Sequence, residues 1–100
     1  MSNRNYIRGR NFEYKRMKAW RDADYAVSRT SGSHGKFDLY ALKSNCPVEA
    51  IQCKVVKTEA AARRLLASFV KHPPMTPSSY FHQHLEIWVT DTRQLHTTIV

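Results

Sequence analysis

Residues 31–54, SGSHGKFDLYALKSNCPVEAIQCK, hold a glycine-bearing loop followed by two short apolar segments, and the rest of the chain is organised around them. The first segment, 37–42, carries an acid at its start, Asp38; the second, 50–56, follows the turn residues 45–47. Both have the length and composition of strands. Side chains alternate across a strand. If the two segments pair, Asp38 and Tyr40 share one face of the first, and Gln52 and Lys54 share one face of the second. An acid, an amide oxygen and an ammonium then converge.

That convergence suits phosphodiester cleavage. A divalent cation neutralises charge on the phosphoryl oxygens, a water attacks, and a positive group stands near the water or the developing oxyanion. Asp38 offers the hard oxygen that Mg²⁺ prefers, Gln52 a neutral carbonyl oxygen, and Lys54 the positive charge. Spacing alone is not specific. An acid followed fourteen positions later by an x-Lys pair is also what two solvated edge residues and a snorkelling lysine produce.

Sixteen Lys and Arg stand against eight Asp and Glu among 100 residues, a net charge of +8 with a pI near 9.9. That balance favours a polyanionic partner, nucleic acid ahead of an anionic membrane surface. The length makes one domain, 1–100, with one modest core. No apolar run approaches a membrane span, and no signal peptide precedes the basic start SNRNYIRGR. The expectation is a cytoplasmic protein, at the nucleoid or, for a viral source, in the host cytoplasm. Cys46 and Cys53 are seven apart and lack the spacing of zinc-binding thiols or of a disulfide framework. Cys53, facing away from Gln52 and Lys54, reads as a small buried hydrophobe.

The basic end of the molecule is its N-terminal segment, where Arg4, Arg8, Arg10, Lys15, Arg16, Lys18 and Arg21 cluster. Helical spacing over 5–22 aligns Gly9, Phe12, Glu13, Met17 and Trp20 on one side. Glu13 thus sits at the edge of an apolar stripe, where a carboxylate needs a cation or a donor. Either Arg10 or Arg16 pairs with it on a solvated face, or it points into a polar site made by the sheet.

Residues 22–24 read as a turn, and 25–30 as the first strand, with Tyr25, Val27 and Arg29 alternating against Ala26 and Ser28. In the loop 31–36, two glycines, two serine hydroxyls and Lys36 can approach phosphate closely, and the same residues also make an ordinary hairpin loop. Residues 60–71 are helix-forming, with Thr58 as N-cap and Glu59 placed for the helix dipole. Ala62, Leu65, Leu66, Phe69 and Val70 give that helix a core-facing side. Pro73, Pro74 and Pro77 end it and predict an extended, mobile connection. Segments 84–90 and 94–100 alternate as a hairpin about 91–93. His82 and His84 share a strand face, as metal ligands can, but no third ligand is evident, and packed or exposed histidines fit the same spacing.

The stretches RGRNFE (8–13), RTSGSHGKFD (29–38) and AIQCK (50–54), in that order, resemble the archaeal-type Holliday junction resolvases of the PD-(D/E)XK nuclease superfamily. The resemblance fades beyond Lys71. It implies an α/β fold with a restriction-endonuclease-like core, a mixed central β-sheet flanked by helices. It also implies a Mg²⁺ or Mn²⁺ site held by Glu13, Asp38 and Gln52, with Lys54 orienting or activating the attacking water. A loop serine matters in that family, and Ser33 is the nearest match, with Ser31 the alternative. Arg8, Arg10, Arg29, Ser31, His34 and Lys36 are then expected against DNA. Two positions depart from the family pattern: Phe37 stands in place of proline, and Gln52 in place of the second acid, which removes one negative charge from the metal site.

The implied activity is structure-selective cleavage of four-way DNA junctions, in recombination and repair. Two matched cuts call for a two-fold homodimer, and junction shape rather than base sequence would select the substrate. A nicking or repair nuclease of the same superfamily and a non-catalytic DNA-binding module share the basic helix and loop. Lys54, which a binder would not need beside Asp38, favours the enzyme.

Overall fold

The computed structural model describes residues 3–30 and 36–100, in the order α1 (Asn3–Asp22), β1 (Ala26–Arg29), β2 (Leu39–Leu42), β3 (Val48–Val56), α2 (Glu59–Lys71), β4 (Phe81–Val89) and β5 (Gln94–Ile99). The five strands form one sheet in chain order. β3 and β4 are parallel and the other neighbours antiparallel. A helix must therefore carry the chain from the end of β3 back to the start of β4, and α2 does so. The result is an α/β domain whose mixed sheet is flanked by two helices, compatible with the expected restriction-endonuclease-like core.

Alternation along the strands divides the core in two. Leu39 and Ala41 of β2 and Ile51 and Cys53 of β3 pack with Phe12 and Met17 of α1. Ala50 of β3 and Leu85, Ile87 and Val89 of β4 pack on the opposite face with Ala62 and Phe69 of α2. β4 is buried on both faces from Gln83 to Ile87, as an interior strand with a parallel neighbour should be. It starts at Phe81, earlier than hydropathy predicts, because pairing with β3 from Val48↔Phe81 onward supplies its hydrogen bonds.

The chain reversals carry their own signatures. Asp24, Asn45 and Arg93 adopt positive φ at 71°, 63° and 54°, a conformation that Asp and Asn tolerate better than other side chains do. Thr58 caps α2 as expected, its hydroxyl oxygen accepting from the Ala61 N–H at 3.2 Å. Val70 departs from expectation: it is 55% exposed, because α2 turns only Ala62 and Phe69 fully inward. The proline-bearing connection, expected to be extended and mobile, is fastened to the sheet. Gln83, wholly buried, donates to the Met75 carbonyl at 2.9 Å and accepts from the Met75 N–H at 3.0 Å, so its amide is satisfied on both sides. Among the described residues no helix is long and apolar enough to cross a membrane.

Candidate functional site

Asp38 lies where β2 and β3 part. The ladder pairs Leu39 with Ile51. One residue earlier its pattern changes: the Asp38 N–H donates to the Ile51 carbonyl at 2.9 Å, and the Cys53 N–H donates to Asp38 Oδ2 at 2.8 Å instead of to a backbone carbonyl. The carboxylate is thus drawn into the gap between the strands. Thr30, just past β1, fixes the same point from the other side, its N–H on the Asp38 carbonyl at 2.9 Å and its hydroxyl on the Phe37 carbonyl at 3.0 Å.

Gln52 and Lys54 share the face of β3 that carries Ala50 and Val56, as alternation predicts. α2 packs over β4 and β5 more than over β3. Lys54 is therefore exposed and Gln52 half-buried, although both are on the α2 face. The Gln52 amide nitrogen donates to the Lys36 carbonyl at 3.4 Å, which ties it to the end of the loop before β2.

Glu13 comes from α1 on the other face. Arg29 Nε donates to Glu13 Oε1 at 2.9 Å, and the same guanidinium lies 5.4 Å from the centre of the Tyr14 ring. Helical spacing within α1 cannot reveal a partner on β1. Arg29, expected against DNA, is thus engaged with α1. Arg16 reaches β4 instead, bidentate on Glu86 at 2.7 and 3.3 Å, with Trp20 Nε1 donating to the same carboxylate at 3.3 Å.

Cys53 lies between Gln52 and Lys54 on β3 and faces α1. Burial pushes its thiol well above the ordinary value of 9.0, and the carboxylates of Glu86, Asp38 and Glu13 push it further, against Arg16. Glu13 from the helix and Asp38 from the strand gap therefore act on the same buried sulfur. Gln52 and Lys54 flank it on β3 and face the other way. The structure thus leaves Glu13 on the α1 face and Gln52 and Lys54 on the α2 face, with the Asp38 carboxylate in the gap between β2 and β3.

Of the residues expected on DNA, Arg8 and Arg10 are exposed on α1. Lys36 is exposed too, but its ammonium donates to the Pro74 carbonyl at 3.0 Å, towards the connection after α2. Ser31, Ser33 and His34 lie outside the described residues. An open cleft of about 370 Å³ borders α1 elsewhere, lined by Arg8, Lys15 and Arg16 with Val55, Trp88 and Thr90. Its positively charged lining lies near the ends of β3 and β4.

One acid that sequence reasoning passed over is Glu49. Hydropathy starts the second apolar segment at Ala50, whereas β3 starts at Val48, and Glu49 points to the α1 face beside His82 and His84. The histidine spacing was the only sign of this group, and the third member lies more than thirty residues away in sequence. Compared with protein-family models and with curated proteins, the chain matches none.

Proposed function

We propose that this chain is a metal-dependent endodeoxyribonuclease of the PD-(D/E)XK type that resolves four-way DNA junctions as a homodimer. What supports the reading is the opening of the β2–β3 ladder, where the Asp38 carboxylate accepts the N–H of Cys53, the residue between Gln52 and Lys54. The order helix, three antiparallel strands and helix over residues 3–71 is compatible with that resemblance.

Mg²⁺ or Mn²⁺, when bound, supplies charge neutralisation at the scissile phosphate and a more acidic water. Glu13 and Asp38 would hold the cation through carboxylate oxygens and Gln52 through its amide oxygen; the Gln52 nitrogen donates to the Lys36 carbonyl. Lys54 holds the attacking water and favours its hydroxide form by its positive charge. Arg8 and Arg10, exposed on the same helix as Glu13, take flanking phosphates, which position the strand without reading sequence. The +8 charge gives the long-range attraction that brings polyanionic DNA to this surface. A cytoplasmic or nucleoid location follows from that substrate.

Gln52 tests the metal assignment. Gln52→Glu restores a second charged ligand and lowers the Mg²⁺ concentration for half-maximal junction cutting; Gln52→Ala raises it. If both variants match the parent, Gln52 is outside the metal shell. If Gln52→Glu cuts where the parent does not at any Mg²⁺ or Mn²⁺ concentration, the chain is a DNA-binding module on a nuclease fold.

A further inference from the structure

We infer that Glu49, His82 and His84 form a second metal site, one that takes a divalent transition metal of the Zn²⁺ class. It stands independently of the nuclease reading, since none of the three residues belongs to the Asp38 set. The parallel register places Glu49 opposite His82 and Ile51 opposite His84, so one residue of β3 and two of β4 project together towards α1. Glu49 Oε1 lies 2.5 Å from His84 Nε2 and 3.1 Å from His82 Nδ1. One donor atom from each residue falls within 4.8 Å of the other two.

Charge makes this arrangement demanding. Glu49 is 5% exposed, and among the described residues its ion-pair partners are these two imidazoles, with no lysine or arginine. A buried carboxylate requires a compensating positive charge, and a cation shared by all three side chains supplies it. The contrast with Glu86 on the same face is direct, because there Arg16 fills that role.

The donor set selects the metal. Two imidazole nitrogens and one carboxylate suit Zn²⁺ and its neighbours, and do not suit Mg²⁺, which prefers oxygen alone. Tetrahedral bonds of about 2.0–2.2 Å separate donor atoms by roughly 3.4 Å, and a small opening of the present contacts reaches that spacing. His84 is held in place by the edge of Trp20, with ring centres 5.1 Å apart. The His82 side chain is 43% exposed, which leaves a way in from solvent and a fourth position for water. A metal there ties the starts of β3 and β4 together. Four residues of extended chain, roughly 13 Å, separate Glu49 from Cys53, whose N–H marks the Asp38 site.

The test uses the full chain stripped of metal and titrated with ZnCl₂ by calorimetry, beside Glu49→Gln and His82→Ala, each checked for folding by circular dichroism. The expected result is one Zn²⁺ per chain and a higher melting temperature with Zn²⁺. Each variant should weaken binding by more than the roughly 100-fold that loss of an outer-shell partner can cost. Co²⁺ added to the unaltered chain should give the intense visible absorption of a four-coordinate site, a readout that needs no variant. Absence of stoichiometric Zn²⁺ uptake, or uptake unchanged in either variant, overturns the inference. So does uptake lost on His96→Ala, which would move the ion to His96 and the half-buried Glu59, paired at 2.7 Å.

Discussion

The Asp38 carboxylate accepts the Cys53 backbone N–H at 2.8 Å, so the acid assigned to the metal also closes a gap in the β2–β3 ladder. Removing the charge and removing the acceptor are therefore different experiments. Asp38→Asn keeps an oxygen for the Cys53 N–H and should melt close to the parent. Asp38→Ala leaves that N–H unpaired at a half-buried position and should cost about 1–3 kcal/mol in urea unfolding. Equal stabilities for the two variants would show that the hydrogen bond contributes nothing.

Arg16 and Glu86 form the best-buried arginine pair in the core, with Glu86 only 3% exposed. Arg16→Met should destabilise the fold by about 3–5 kcal/mol, because Glu86 is left charged beneath α1. Adding Glu86→Leu should recover most of that loss, since the second change removes the stranded carboxylate. Urea unfolding of the single and double variants measures both. Recovery of less than half would mean that shape, not charge, dominates at this position.

Much of this architecture is legible in the sequence for local reasons. The apolar stripe of α1, the Thr58 cap and the alternation of β2, β3 and the closing hairpin are all properties of neighbouring residues. What escapes is non-local. Nothing near Glu13 indicates Arg29 on β1, and nothing near His82 indicates Glu49, because both depend on which elements lie side by side. The parallel register of β3 and β4 sets the second of these pairs, and a strand's hydropathy does not say which partner it has. The Asp38, Gln52 and Lys54 alignment could be anticipated only because β2 and β3 are consecutive and antiparallel.

The two thiols should separate cleanly. Cys46 is exposed and Cys53 buried beside acids, so one thiol per native chain should react rapidly with an aromatic disulfide reagent, and Cys46→Ser should remove that reaction. The raised Cys53 pKa also has a sign. The folded chain keeps a proton that the unfolded chain releases above pH 9.0, so stability is full below that pH and falls as pH rises beyond it. The parent should lose about 1.4 kcal/mol more per pH unit than Cys53→Ala in that range. Parallel pH profiles would contradict it.

Arg8 and Arg10 are assigned to phosphates, so Arg8→Ala and Arg10→Ala should weaken binding to junction and duplex alike. Each should reduce the slope of log affinity against log salt by about one. The cutting rate of the bound complex should stay near that of the parent. A lower rate at unchanged affinity would place these arginines in the chemistry instead of in positioning.

The most direct measurement of the central claim is cleavage of an end-labelled synthetic four-way junction and a duplex of equal length, by the parent and by Asp38→Asn, with and without Mg²⁺ or Mn²⁺. The account predicts symmetric paired cuts near the branch point, dependent on metal and absent from duplex. It also predicts that Asp38→Asn still binds the junction but does not cut it. Cutting that continues in Asp38→Asn, or no cutting by the parent with either metal, would contradict it.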